Sequence, residues 1–182
     1  MSRYTFRRLK LKATPLRRAQ AVLVGLALVG LVTTRDVEKY GDNYQIALPI
    51  LALGCEVLNG QALAYLGRYA VMFVGLHGTK RGLGDAEIAR RPHGGLQGFP
   101  SGHTATATFG AAQLVTACIP AAPVAQTAVI LAAAYTGTSR VEAGAHDIWQ
   151  VLAGAIWGII CALGLRPGSP SRALAKRLWD RR

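Results

Sequence analysis

Six apolar runs, at 19–34, 44–58, 61–77, 104–119, 122–136 and 148–165, fill most of this 182-residue chain. Runs this uniformly apolar do not carry the polar stripe that a helix needs on a water-facing surface, so they belong to helices that face lipid or one another. Most are shorter than the ~20 residues that cross a hydrocarbon core, so their ends are expected to reach into the polar flanks or the bilayer to thin around them. The expected fold is all-α: a single domain spanning 1–182, built as a six-span transmembrane helical bundle with its active site at one membrane face. Pro120 and Pro123 mark a tight turn between the fourth and fifth spans. The polar stretch 78–102, rich in Gly, Arg and Lys, reads as the one long loop with room for chemistry.

The charge is distributed in a way that separates two readings of a basic protein. Formal net charge is +12, but 13 of the 21 Lys and Arg lie in the tails, seven before Ala19 and six from Arg166 onward. Nucleic-acid binding would call for a basic face with interleaved aromatics in the folded part, and none is found there, so no nucleic-acid partner is expected. Basic tails flanking apolar spans are what the positive-inside rule gives. The tails 1–18 and 166–182 are therefore expected in the cytoplasm, with 78–102 and 137–146 on the opposite side. Reading the first run as a signal peptide is the lesser alternative, because no small-x-small cleavage pattern follows Thr34.

Isolated polar residues in the apolar stretches have ordinary explanations. Arg68, inside the third run, is expected to snorkel to a membrane surface, the alternative being a pairing inside the bundle. Cys55, Cys118 and Cys161 are odd in number and widely spaced. They suggest neither a disulfide framework nor a metal knuckle and read as packing residues. His77 reads as interfacial, while His93 and Glu142 stand in outer loops where they face solvent or a substrate head group.

Two clusters carry the chemistry: Phe99-Pro100-Ser101-Gly102-His103 before the fourth span, and Ser139-Arg140 with His146 before the sixth. Two crossings separate them, so they return to the same membrane face whatever the orientation. Ser101 is placed as an N-cap, with Gly102 allowing close backbone approach, and a helix N-terminus offers unsatisfied N–H groups to an anion. A phosphoryl group in transfer needs positive charge around its equatorial oxygens, an in-line nucleophile and an acid for the leaving oxygen. Lys80, Arg91 and Arg140 supply cations, and His146 and His103 supply nucleophile and acid. Gln150 lies one helical turn after His146, where its carbonyl can accept the ring N–H. Asp147 points about 100° away on a helix and reads as a first-turn cap. The pair His146-Asp147 lacks further ligands at metal-binding spacing, so no metal and no cofactor are expected. Gly78-Thr79-Lys80 lacks the upstream glycine of a phosphate-binding loop.

Lys80 with Arg91-Pro92, then Pro100-Ser101-Gly102-His103, then Ser139-Arg140 with His146 resemble the three signature motifs of the type 2 phosphatidic acid phosphatase superfamily. The resemblance covers about 80–150, and the six-span plan is similar to that of the family's membrane members. Two features depart from the usual pattern. Ten residues instead of six separate Lys80 from Arg91, which leaves Arg81 and Arg90 as alternatives for the first-motif cation, and Gln150 stands where Asp is usual. The resemblance implies a metal-independent phosphatase in which His146 forms a phosphohistidine and His103 protonates the leaving group.

A site at a membrane surface suggests a lipid phosphate or pyrophosphate whose tail stays in the bilayer, with lipid A 1-phosphate and undecaprenyl pyrophosphate the favoured substrates. The expected location is a bacterial inner membrane, multi-pass, with the site facing the periplasm. Alternatives are a lipid phosphotransferase using the same intermediate, a non-catalytic lipid-binding or transport protein, and a soluble haloperoxidase-like member, which the apolar runs disfavour.

Overall fold

The computed structural model describes residues 14–33, 36–166, 168–170, 173, 177, 178 and 180. Among these the elements are all helical: α1 (Pro15–Val32), α2 (Val37–Leu58), α3 (Ala62–Leu83), α4 (Gly102–Gln113), α5 (Pro123–Glu142) and α6 (Ile148–Ile159). α4 and α6 run on into π-helical turns at Leu114–Cys118 and Ile160–Gly164, and a 3-10 turn at Glu87–Ala89 lies in the α3–α4 connection. Most of the basic tails fall outside the described residues. Arg18 belongs to α1 and donates to Asn59 Oδ1 at 2.9 Å.

Local chemistry sets the helix starts. Thr14 and Asp36 sit in extended conformation ahead of α1 and α2 and accept from Arg17 N and Glu38 N, satisfying N–H groups that the helix leaves open. Pro15 and Pro123 open α1 and α5, where the missing N–H costs nothing. The number of helices agrees with the number of apolar runs, but several helices outrun them. α2 begins at Val37, α3 continues through Lys80 to Leu83, and α5 continues through Arg140 to Glu142. Lys80, Ser139 and Arg140 therefore project from helix ends, where the sequence pattern placed loops. A hydropathy run marks only the apolar part of a helix, and these polar turns remain helical because their side chains are buried against partners.

α4 forms the centre of the bundle, packed on α2, α5 and α6. Small residues let backbones meet. A Cβ on Gly154 would come within 2.3 Å of Ser101 O, and one on Gly158 within 2.3 Å of Ala105 O, so α6 lies directly on the first turns of α4. The core around Leu48, Met72, Leu114 and Val129 is filled by Tyr65 and Phe109, whose rings meet edge-on at 5.3 Å. The Tyr65 hydroxyl donates to Pro49 O at 2.8 Å.

Three expectations change here. Arg68 does not snorkel: it is buried, donating to Ala64 O, Gln113 Oε1 and Ala162 O, while Gln113 Nε2 donates to the buried Glu56. The alternative, pairing inside the bundle, holds because a buried guanidinium is retained where its donors are satisfied. Cys55 and Cys118 are not mere packing residues but a disulfide joining the far ends of α2 and α4, with Cα atoms 5.8 Å apart; Cys161 is free and buried. Spacing hid this pair, since 63 residues separate the two cysteines, and only the parallel packing of α2 and α4, with α3 returning the chain between them, brings them together. Finally, by length and hydropathy only α1 among the described helices qualifies as a candidate membrane span, with a mean hydropathy of 1.5. Ile148–Gly164 is apolar but shorter. Six membrane spans are thus not established by composition.

Candidate active site

Antiparallel connectivity gathers the start of α2, the ends of α3 and α5, and the starts of α4 and α6 at one end of the bundle. Backbone bonds join the two sequence clusters there. Ser101 N donates to Gln150 O at 2.9 Å, and Ala145 N and His146 N both donate to Arg140 O, at 3.0 and 3.1 Å. Ser101 takes the N-cap position of α4 as expected, but its side chain makes no capping bond and instead accepts from Thr104 Oγ1 at 3.0 Å.

Gln150 is the hub of this end. It is fully buried, and its Nε2 donates to Ile88 O at 3.1 Å and Arg90 O at 2.7 Å. With the amide nitrogen committed to two carbonyls, Oε1 is the atom turned to His146 Nδ1, 3.0 Å away. An amide oxygen only accepts, so Nδ1 carries the proton and Nε2 carries the lone pair. That tautomer is the one a nucleophilic imidazole needs. Gly98 makes the arrangement possible: a Cβ there would come within 2.7 Å of both amide atoms of Gln150. Asp147 caps α6, accepting from Gln150 N at 2.8 Å, as its position suggested.

His146 is buried, which holds its pKa down to about 4; the Gln150 hydrogen bond opposes this, and Arg91, Lys80 and His103 push further down. Those three groups are the charged surroundings of the ring. Lys80 is buried at the end of α3 and donates to Gln97 O, whereas Arg81 and Arg90 are exposed. Of the three candidates for the first cation, Lys80 is thus the one placed toward His146. Gln97 sits at φ 61°, a conformation a non-glycine residue adopts only when something holds it, and the Lys80 contact is on its carbonyl. Arg91 lies in a turn closed by Arg91 N to Gly95 O at 2.7 Å, with Gly94 at φ 90°.

Arg140 is buried near the end of α5 and meets two acidic residues of α2. Its Nη1 stands 3.2 Å from Glu38 Oε1 and 3.0 Å from Asp42 Oδ1, and its Nη2 donates to Glu38 O at 2.8 Å. His103 Nε2 is 3.1 Å from the same Asp42 oxygen. Gly41 allows this approach, because a Cβ there would lie 2.0 Å from Ser139 Oγ.

Against this geometry, the family model of the PAP2 superfamily matches residues 62–172, well over half of the chain. The chain belongs to the PAP2 superfamily. No curated protein and no solved structure matches it. PAP2 superfamily members are phosphatases, so membership makes this chain a phosphoryl hydrolase in general terms.

Within this PAP2 domain the sequence-predicted residues Lys80, Arg91, Ser101, Gly102, His103, Arg140, His146 and Gln150 all fall at the same end of the bundle. His93 and Glu142 are exposed there, and His77 bonds within its own helix, Nδ1 to Phe73 O at 3.0 Å. Sequence reasoning missed Glu38 and Asp42. Their signal was slight: two acids one helical turn apart, just ahead of the second apolar run. Among the described residues no group of three or more His, Cys, Asp or Glu gathers as a metal site.

Proposed function

We propose that this PAP2 protein is a lipid phosphate or pyrophosphate phosphatase working through a phosphohistidine on His146. The observation that carries the reading is the His146–Gln150 pair, which leaves Nε2 as the lone-pair nitrogen on a ring kept neutral by burial. In this mechanism Nε2 attacks phosphorus while Lys80, Arg91 and Arg140 hold the equatorial oxygens, together with Ser101 and the N–H groups that open α4, Gly102 among them. His103 protonates the leaving oxygen and then takes a proton from the water that opens the phosphohistidine. The residues at this end carry out these steps without calling on a metal.

A lipid substrate is supported by an apolar groove of about 540 Å³ between α4, α5 and α6, lined by Thr104, Gly137 and Val141 toward the site and by Val115 and Leu163 at its far end. Thr104 binds Ser101, so the groove begins beside the phosphate-binding residues. Membrane embedding is supported by large apolar side chains turned outward on the helices, among them Leu31, Leu63, Val74, Val124, Ile130 and Trp149. The charges that lower the helices' mean hydropathy lie largely at their ends or are hydrogen-bonded inside, as Glu56 and Arg68 are through Gln113. The excess of Lys and Arg in the two tails supports an orientation with the site outside the cytoplasm. On this reading the protein is a multi-pass protein of a bacterial inner membrane with the site facing the periplasm, and its small size and compact loops lean towards lipid A 1-phosphate or undecaprenyl pyrophosphate as substrate.

The test is inorganic phosphate release by detergent-purified wild type and His146→Ala, in excess chelator, across lipid A, undecaprenyl pyrophosphate and phosphatidylglycerophosphate. Release by wild type alone is expected. Transfer of the phosphoryl group to a second lipid without free phosphate would instead make the protein a phosphotransferase, and no turnover on any of them would leave a binding protein.

A further inference from the structure

One oxygen of Asp42 has two cationic claimants. Its Oδ1 lies 3.0 Å from Arg140 Nη1 and 3.1 Å from His103 Nε2, and the atom is shut off from solvent with no aligned hydrogen-bond donor among the described residues. A buried carboxylate oxygen in that state gains most from whichever neighbour becomes free to align with it. Arg140 is also held by Glu38 and is one of the cations assigned to phosphate. His103 opens α4 and is the group assigned to the leaving oxygen.

We propose that Asp42 is a positioning residue that couples the acid step to substrate binding: a phosphate that draws Arg140 away leaves the Asp42 carboxylate to accept from His103 Nε2, which keeps the ring doubly protonated until the leaving oxygen takes a proton from it. This rests on the phosphatase reading above. The groups facing His103 are Asp42 and Glu38 from α2, Arg140 from α5, and Arg91 and His146 from the loops. Burial holds His103 below the usual imidazole range and Arg140 and Arg91 push it the same way, while Asp42 and Glu38 oppose them. A phosphate dianion seated on the two arginines cancels the first group of charges and leaves the second. In the first half-reaction the Nε2–P bond to His146 forms, the P–O bond to the leaving group breaks, and the His103 proton goes to that oxygen. In the second, water donates a proton to His103 as its oxygen bonds to phosphorus and the P–N bond breaks.

The deciding measurement follows the His103 imidazole by ¹⁵N NMR through a pH titration of the full chain in detergent, with and without inorganic phosphate. In wild type, phosphate should raise the His103 midpoint by about one pH unit or more. Asp42→Asn should lower the midpoint in phosphate-free protein and remove the rise, and Asp42→Glu should restore part of both. An unchanged midpoint in Asp42→Asn, or a wild-type midpoint indifferent to phosphate, overturns the proposal. A kinetic arm separates this from a merely structural role. Asp42→Asn should cost 10-fold or more on a lipid phosphate, whose alkoxide leaving group needs a proton, and little on p-nitrophenyl phosphate, whose phenolate does not. Equal losses on both also overturn it. Absence of wild-type turnover on any substrate would count against the phosphatase reading alone, because the titration still decides what Asp42 does to His103.

Discussion

The Gln150 side-chain oxygen faces His146 Nδ1 at 3.0 Å, while the nitrogen of the same amide is spent on the carbonyls of Ile88 and Arg90. One side chain thus fixes the imidazole tautomer and ties the α3–α4 connection to α6. A carboxylate at this position could do the first task but not the second, since it has no N–H to offer.

Gln150→Asp is therefore expected to lower activity, even though Asp is the residue usual at this place. The shorter acid withdraws from the ring and leaves the Ile88 and Arg90 carbonyls facing negative charge, at a cost of about 0.5–1.5 kcal/mol for each lost hydrogen bond. A fall in kcat of at least 10-fold together with a lower unfolding midpoint is the expected result. Wild-type kcat in Gln150→Asp would show that the clamp on Ile88 and Arg90 is dispensable.

Replacing the two histidines should give different defects. His146→Ala removes the attacking nitrogen and should release no phosphate and trap no phosphoenzyme. His103→Ala removes only the acid, so it should still accumulate phosphoenzyme, at a rate reduced by roughly 10²–10⁴. Rapid quench with a ³²P-labelled lipid distinguishes the two, and a labelled His146→Ala protein would mean that another residue is the nucleophile.

The pH dependence follows from the burial of His146. Its pKa is lowered to about 4, so the ring is neutral above that value and becomes protonated, and unable to attack, only below it. The acid limb of kcat/KM should accordingly fall near pH 4 instead of near the ordinary imidazole value of about 6.5. Initial rates between pH 3.5 and 8 test this, provided the fold is monitored in parallel by circular dichroism.

Gly41→Val should be damaging at a distance from any substrate. Its side chain would collide with Ser139 Oγ, 2.0 Å from the nearest new atom, and push α2 off Arg140. Overpacking of this kind costs about 1–3 kcal/mol, and kcat should fall with it as Asp42 and Glu38 move. Gly78→Ala is the control: nothing lies within 4 Å of its new methyl, so activity should persist. Thermal unfolding and phosphate release on both variants provide the comparison.

The residues that were legible in the sequence are those whose partners lie nearby in the chain or whose spacing is chemical. His146 and Gln150 stand one helical turn apart, and Ser101-Gly102-His103 opens a helix that two crossings return to the same end. Asp42 and Glu38 were not legible, because Glu38 meets Arg140 across 102 residues and no local pattern announces it. Arg68 was misjudged for a similar reason. Its partners, Gln113 and Ala162, come from α4 and the π-helical turn after α6, and only a folded bundle supplies them. Helix count could be read from hydropathy, but helix ends could not, since the polar turns that bear Lys80 and Arg140 look like loops until their burial is known.

The Cys55–Cys118 disulfide, described above as a join between α2 and α4, also bears on the opposite end of the molecule. α2 brings Asp42 and α4 brings His103, so the two helices that meet at the acid are stapled at their other ends. They form a closed frame, with a covalent hinge at one end and the 3.1 Å approach of His103 to Asp42 at the other, and a sliding of either helix along its axis must disturb one of the two. Thiol reductant added during purification would open that frame from below, so the approach of Asp42 to His103 depends on a bond at the opposite end of the two helices.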